Sequence, residues 1–358
     1  MPKIKNKKKD TYFLKLSNKL SEINQFLTYP NPCVGAVLVS KNQNRIAFTG
    51  KGGSPHAEYK LLKNEKNIQN GKLYTSLEPC SHRGKNPSCV EIIIKKRINT
   101  IFTSCRDFDK RVLENTEKIL KNKGVKIYYY NKICEASSNH NFSCKNRIPY
   151  VSAKIAISND YYTKHKFKRL FTSNEALKFA HLKRYQADSI LIGKNTLNDD
   201  NPKLNCRING IEKNICKFLI NPNLDIKSYI FKNNFLTNSY IFHDSKDLKK
   251  IKKANKNFRL IYFNFNQLHA SLKILKKIYE LGYKKLLIEG GANTLQRFMD
   301  ANLVNELNIV KNKQYFNKHG LKSLSKIIKP KKMSLIETIL LEDDSILIYK
   351  AKNVYRYN

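Results

Sequence analysis

Acidic residues are scarce in this chain: 28 Asp and Glu stand against 68 Lys and Arg among 358 residues, a formal net charge of +40 at pH 7. Dense Lys and Arg would suit a polyanion, because neutralising phosphates releases their counterions. The basic residues are mostly lysine, however, and they run through the whole chain beside abundant Asn, Ile and Tyr. That distribution reads as compositional bias and solvated lysine faces, not as one selected stripe. Weak polyanion binding at low salt is expected, and a specific nucleic-acid partner is not. Long apolar runs are missing too. No stretch reaches the roughly 18 residues that mark a transmembrane helix, and the lysine-rich start Met1 to Asp10 lacks the apolar core of a signal peptide. A soluble, cytoplasmic protein with no membrane partner is expected. Cysteine is sparse for the length: eight residues in 358 do not make a small disulfide scaffold. Six of them, Cys33, Cys105, Cys134, Cys144, Cys206 and Cys216, read as reduced structural residues.

What is present is long and apolar enough for two domains, with 41% hydrophobic residues. Val34 to Val39 is a short apolar run suited to a buried strand, and Ala57 to Lys63 reads as a helix with His56 and Glu58 at its start. Lys72 to Leu77 is a second strand. A helix from Cys89 to Lys96, a strand from Thr100 to Ser104, a helix from Val112 to Asn122 and a strand from Val125 to Tyr130 continue the alternation, as for helices covering a central sheet. Ser137 to Asn146 is polar and Asn-rich and reads as a linker or domain edge. The pattern then resets, predicting domains 1–146 and 147–358. Strands are expected at Tyr150 to Ile157, Ser189 to Gly193, Lys217 to Ile220, Ser239 to His243, Arg259 to Phe263 and Lys285 to Glu289. Helices are expected from Ser173 to Tyr185, Leu268 to Leu281 and Thr294 to Asp300, and a C-terminal strand pair at Leu335 to Leu341 and Ser345 to Lys350.

The chemistry is carried by His56-Ala57-Glu58, Pro79-Cys80 and Cys89. Together they supply three zinc-competent side chains and one carboxylate not needed as a ligand. A catalytic zinc takes three protein ligands and leaves a position for water, which it acidifies, while a nearby Glu shuttles the proton. Zinc base deaminases carry H-x-E followed by P-C-x-x-C. Here eight residues, Ser81 to Ser88, separate the cysteines where that signature has two. Glu78 reads either as a strand-end carboxylate or as a substrate contact, and His82 either as a loop residue or as a substrate contact. Farther on, the strand ending at Glu289 runs into Gly290-Gly291 and a helix, a turn that suits either a phosphate approach or plain tight geometry.

The blocks Pro30-Asn-Pro-Cys-Val-Gly35, Pro55-His-Ala-Glu58 and Thr75-Ser-Leu-Glu-Pro-Cys-Ser-His-Arg-Gly-Lys-Asn-Pro-Ser-Cys89 resemble the deaminase domain of the bifunctional riboflavin-biosynthesis deaminase/reductases. That family's pattern runs close to PNPxVGAV, PHAE and TLEPCSHxGRTPPC and includes the long Cys-to-Cys insert. In the second half, Lys154, Ser158, Thr172-Ser173, Arg184, Gly193-x-x-Thr196, Asp200-Asn201-Pro202-x-Leu204, Arg207 and Glu289-Gly290-Gly291 occur in the order of the same family's reductase domain. The resemblance runs from about Tyr12 to the C-terminal strand pair.

It implies an α/β chain with an N-terminal cytidine-deaminase-like three-layer domain and a dihydrofolate-reductase-like domain after it. It also implies Zn2+ and NADPH as cofactors, a homo-oligomer, and a small-molecule pyrimidine ribosyl phosphate as substrate. His56, Cys80 and Cys89 would hold the metal and Glu58 would be catalytic. Ala156, Leu170, Thr196, Asp200, Gly291, Ala292, Asn293, Thr294, Leu295, Gln296 and Arg297 would line the NADPH site. Asn31 would meet the pyrimidine, and Lys168, Arg184, Leu204, Arg207 and Glu289 the ribosyl phosphate. Four positions, in three places, depart from the pattern. Ser158-Asn159-Asp160-Tyr161 stands where the family has Ser-Leu-Asp-Gly, Leu170 stands at a common Trp, and Lys168 at a serine. Two other readings share the zinc motif: a tRNA or nucleobase deaminase with a degenerate C-terminal domain, and a noncatalytic zinc-stabilised binding protein, which would have no use for Glu58.

Overall fold

The lysine-rich start of the chain folds into α1 (Lys7–Glu22), a helix that its charge pattern does not announce. Its buried face carries Asp10, Leu14, Ser17, Leu20 and Ser21, so polar groups interrupt the apolar stripe. The computed structural model describes residues 7–352 except 42, 67, 85–86, 131–134, 168–170, 209, 214, 237–238, 290 and 324–331. It separates into two units, Met1–Arg147 and Ile148–Asn358.

After α1, the first unit runs β1 (Gly35–Val39), β2 (Asn44–Phe48), α2 (Ala57–Leu62), β3 (Lys72–Thr75), α3 (Cys89–Lys95), β4 (Thr100–Thr103), α4 (Asn115–Asn122), β5 (Lys126–Tyr129) and α5 (Glu135–Asn146). Its five-stranded sheet has the order β2-β1-β3-β4-β5, with β1 antiparallel to both neighbours and β3, β4 and β5 parallel. Strand side chains alternate between faces. Val37, Tyr74 and Phe102 therefore meet α1 on one side, while Ala36, Leu38, Leu73 and Ile101 meet Leu61, Leu62 and Ile93 of α2 and α3 on the other. Three layers result, as expected. Gly35 shows how close α1 lies to the sheet: a Cβ there would sit 2.0 Å from the Ser17 carbonyl oxygen. The stretch read as a linker is α5, whose Ala136, Ser137, His140, Asn141, Ser143 and Cys144 are buried. His140 and Asn141 find hydrogen-bond partners in the Arg106 to Phe108 segment and pack there without an apolar stripe, so polarity misleads at this point.

The second unit opens with β6 (Tyr150–Ile157), β7 (Tyr162–His165), α6 (Asn174–Gln186), β8 (Ser189–Gly193) and α7 (Lys194–Asp200). It continues through β9 (Cys206–Ile208), β10 (Ile211–Lys213), β11 (Cys216–Ile220), β12 (Ser239–His243), α8 (Leu248–Asn255), β13 (Phe258–Tyr262) and α9 (Ala270–Glu280). Last come β14 (Lys285–Glu289), α10 (Ala292–Asp300), β15 (Glu306–Asn312), β16 (Gly320–Ser323), β17 (Met333–Leu340) and β18 (Asp344–Ala351). The main sheet has nine strands in the order β13-β12-β11-β8-β14-β6-β15-β18-β17. The seven from β13 to β15 are parallel, and the C-terminal hairpin adds β18 and β17 antiparallel. Central strands such as β8, Ser-Ile-Leu-Ile-Gly, are buried throughout, as parallel strands covered on both faces must be. Ser173 caps α6 by accepting from the Ala176 N–H. The seven described cysteines form no disulfide, and Cys134 lies outside the described residues. No helix among the described residues is long and apolar enough to cross a membrane.

Candidate active sites

Two short helices bring the metal-ligating residues together. His56 precedes α2 with extended backbone, and its carbonyl accepts the Lys60 N–H at 3.0 Å, so Glu58 follows within the first turn of the same helix. Ser88 caps α3, its Oγ accepting from the Glu91 N–H at 3.0 Å, which sets Cys89 at the first helical position. The positive end of a helix favours a thiolate there. Cys80 lies in the segment leaving the C-terminal end of β3, and its Sγ accepts the Cys89 N–H at 3.4 Å.

His56 Nδ1 stands 3.5 Å from Cys80 Sγ and 3.4 Å from Cys89 Sγ, and the three ligand atoms lie within 4.8 Å of one another. Tetrahedral zinc, with bonds of about 2.3 Å to sulfur and about 2.05 Å to nitrogen, separates S and N by about 3.5 Å. The donor set therefore fits zinc in both kind and spacing. Among the described residues no second such group occurs. Hydrogen bonding with Cys89 lowers the Cys80 thiol to about 4 against the pull of burial, whereas its bond with Cys80 and burial push Cys89 up. The bond with Cys80 also raises His56. A cation displaces the protons held in this cluster, so metal uptake releases them.

Glu58 is 2% exposed, and its Oε2 has no hydrogen-bond partner. Burial raises its carboxyl to about 6, opposed by His56. An open carboxylate oxygen beside a metal position, titrating near neutrality, is what a proton carrier requires. Asn31 reaches the same spot. Its Nδ2 donates to the Gly53 carbonyl at 3.0 Å and lies 3.5 Å from His56 Nε2. Glu78 does not reach out: Oε1 accepts Tyr129 Oη–H at 2.5 Å and Oε2 accepts the Asp107 N–H at 3.1 Å. His82 is half-buried on its loop, with Nδ1 lacking a partner.

The second unit holds a cleft of about 500 Å³, a size typical of small-molecule sites. Of the residues expected at NADPH, Ala156, Thr196, Asp200, Gly291 and Ala292 line it; of those expected at the ribosyl phosphate, Arg184, Leu204, Arg207 and Glu289 do. Asn293, Thr294, Leu295, Gln296 and Arg297 follow on α10. Leu295 is turned into the core with Ala292 and Phe298, the three-residue spacing marking the apolar face, so its side chain is not presented to the cleft. Gln296 Nε2 donates to Asp300. Lys168, Leu170 and Gly290 lie outside the described residues.

Where β8 enters α7 and β14 enters α10, the two turns come close. A Cβ on Gly193 would lie 2.4 Å from Thr294 Oγ1, and one on Gly291, where φ is +71°, would lie 3.1 Å from Thr196 Oγ1. The threonines leave no room for a side chain at either glycine, and the close turns bring two helix starts together, an arrangement that favours an anionic cofactor.

Several cleft residues were given no site role from the sequence, although Lys154 is among those that carry the resemblance. Lys154, on β6, has its ammonium shifted down by burial, with Glu289 opposing. Lys164 reaches from β7 to Asp199 at 2.8 Å and Asp200 at 3.9 Å, and Phe171 adds an apolar wall. Nothing in the local pattern distinguishes these from the many other lysines. Tyr161, where the resembling family has Gly, adopts φ +69°, and Lys311 Nζ sits 5.0 Å from its ring.

Comparison with known proteins matches residues 7–105 to the cytidine and deoxycytidylate deaminase zinc-binding region and residues 149–312 to the RibD C-terminal domain. The riboflavin biosynthesis protein RibD of Aquifex aeolicus (strain VF5) is 30% identical over 301 residues, spanning 81% of this chain and 83% of that protein. Its counterpart in Bacillus amyloliquefaciens is 28% identical over 315 residues, 83% of each. Among solved structures, Acinetobacter baumannii RibD superposes with a TM-score of 0.82 over 96% of this chain and 99% of that one, at 22% identity. A diaminohydroxyphosphoribosylaminopyrimidine deaminase/5-amino-6-(5-phosphoribosylamino)uracil reductase from Thermotoga maritima gives 0.78 over 96% and 98%, also at 22%. These two share the fold.

Proposed function

The chain belongs to the RibD family of bifunctional riboflavin-biosynthesis enzymes, pairing a zinc deaminase with a reductase, and we propose how its own residues divide the work. The substrate is a diaminopyrimidinone ribosylamino 5′-phosphate, deaminated by residues 1–146 and then reduced from ribosyl to ribityl with NADPH by residues 147–358. The RibD C-terminal match favours this over a tRNA or nucleobase deaminase with a degenerate second half.

One observation carries the deaminase assignment: His56, Cys80 and Cys89 meet at zinc-binding distances with Glu58 buried beside them, one carboxylate oxygen open. Zinc in that position supplies a Lewis acid that acidifies water. Glu58 then takes the proton of the water that adds to the ring carbon bearing the amino group, and passes it to the departing ammonia. Asn31, held by Gly53, orients the pyrimidine beside His56.

In the second cleft NADPH supplies the hydride for the sugar C1′. The paired turns at Gly193 and Gly291 receive its phosphates, with Thr196 and Asp200 at the wall. Arg207, exposed at the rim, takes the substrate phosphate. Arg184 is engaged with Glu289 and orients it toward the sugar. A cytoplasmic location and a homo-oligomer accord with this reading.

Two variants test the deaminase half. Cys80→Ser should remove zinc and deamination together, and full zinc content in it would overturn the ligand set. Glu58→Gln keeps the shape without the proton carrier, so zinc should stay while ammonia release falls by about 10²- to 10⁴-fold.

A further inference from the structure

Cys80 belongs to neither a helix nor a strand, so its place at the metal centre depends on whatever holds its segment. Besides the contacts of Cys80 Sγ with His56 and the Cys89 N–H, the segment's ties run to backbone or to the side chain of Glu78. The Glu78 N–H donates to the Cys105 carbonyl at 3.0 Å, Thr116 Oγ1 donates to the Pro79 carbonyl at 2.9 Å, and the Val90 N–H donates to the Cys80 carbonyl at 3.2 Å. The Glu78 carboxylate receives Tyr129 Oη–H and the Asp107 N–H. Two of these ties come from the Cys105 to Asp107 segment, which is itself irregular.

That segment is fixed in turn by α5. Asp107 Oδ1 receives His140 Nε2–H at 3.1 Å and the Asp109 N–H at 2.9 Å, and both the Asp107 and His140 side chains are buried, at 9% and 6% exposure. One helical residue farther on, Asn141 Nδ2 donates to the Arg106 carbonyl at 2.9 Å, and Asn141 Oδ1 accepts the Phe108 N–H at 3.4 Å. A polar stretch of chain thus buries a hydrogen-bonded carboxylate–imidazole pair and an amide against the loop behind the metal ligand.

We infer that Asp107 and His140 are positioning residues of the metal centre, clamping the Glu78-Pro79-Cys80 segment so that Cys80 meets His56 and Cys89. The inference rests on the zinc reading of those three ligands. Without His140, the Asp107 carboxylate would be a buried charge missing its partner, a state that costs more than the pair contributes. The loop relieves it by moving, and Glu78 moves with the Asp107 N–H. The effect reaches the metal through ligand orientation, the way outer partners of metal ligands act.

The test uses the full-length, zinc-loaded protein. Zinc affinity is measured by competition with a chromophoric chelator, alongside kcat and KM for ammonia release and NADPH oxidation on the deaminated substrate. His140→Leu should weaken zinc by roughly 10- to 100-fold, the range for outer partners of metal ligands, while leaving NADPH oxidation unchanged. His140→Gln, which keeps a donor for Asp107, should recover most of the affinity. Wild-type zinc affinity in His140→Leu would overturn the inference, as would a lowered unfolding temperature with affinity unchanged. Should His140→Leu lose the fold, Asn141→Ala carries the test: it frees Arg106 and Phe108 and must weaken zinc in the same direction, and wild-type affinity there would overturn the clamp. Absence of zinc from the wild-type protein would instead count against the ligand set itself.

Discussion

Arg184 grips Glu289 with two parallel hydrogen bonds, Nε to Oε2 and Nη2 to Oε1, each 2.6 Å, at the wall of the second cleft. Both side chains are largely buried, at 16% and 11% exposure, and Nη1 also donates to the Asn205 carbonyl. An arginine expected on a phosphate is therefore committed to a carboxylate inside the protein. The guanidinium fork suits either partner equally, so residue type alone could not distinguish them.

Breaking this pair should be costly. Arg184→Met leaves Glu289 buried without its partner, an effect of about 3–5 kcal/mol, whereas the double variant Arg184→Met, Glu289→Met should lose less. The pH dependence should also weaken. In the wild type, burial pushes Glu289 up, but Arg184, helped by Lys154 and His181, outweighs it and holds the carboxyl below its ordinary range. The stabilisation is thus present above the unfolded carboxylate value and lost as pH falls through the lower, folded one. In Arg184→Met only Lys154 and His181 are left to oppose burial, so the carboxyl rises from its wild-type position and the stability lost on acidification should shrink. Denaturant unfolding of both proteins between pH 3 and pH 7, ranges chosen around a carboxylate of about 4.3, reads the difference; parallel curves would contradict it.

How much was legible in the chain follows from what each residue type can do. His56, Glu58, Cys80 and Cys89 were readable because few combinations of side chains bind zinc and leave a carboxylate over, and the fold brings the three ligands together with Glu58 buried beside them. Strands β6, β8, β12 and β14 were readable with their bounds because buried parallel strands are short apolar runs. The helices α1 and α5 were not. Their buried faces include Asp10, or His140 and Asn141, whose partners come from distant segments such as Tyr74, Asp107 and Arg106. Leu295 carried a usable signal: Ala292, Leu295 and Phe298 recur every three residues and mark the core face of α10.

The close seat of α1 makes a direct prediction. Gly35→Ala would place a Cβ against Ser17 and Ser21 backbone, which cannot swing aside as a side chain does. Overpacking of this kind costs about 1–3 kcal/mol or more, and the helix should shift from β1. Unfolding should show reduced stability of the deaminase unit and weakened zinc retention, while NADPH binding stays at the wild-type level. A fully stable Gly35→Ala protein would mean that α1 does not pack on the sheet as described.

Gly291 offers the matching test of the other unit. Valine there must adopt φ near +71° and crowds Thr196 Oγ1. NADPH affinity, followed by fluorescence titration of the full-length protein, should fall by at least about tenfold, or about 1.4 kcal/mol. Unchanged affinity in a folded Gly291→Val protein would remove the glycine turns from the cofactor site.

A single chain should perform deamination and then reduction. Anaerobic incubation of the full-length protein with the diaminopyrimidinone ribosylamino phosphate, with and without NADPH, tests it directly when ammonia and NADPH are followed separately. The prediction is stoichiometric ammonia release in both arms, together with one NADPH oxidised per ammonia, after a lag, in the arm that contains it. Ammonia released with no NADPH oxidised, or NADPH oxidised before any ammonia appears, would contradict it.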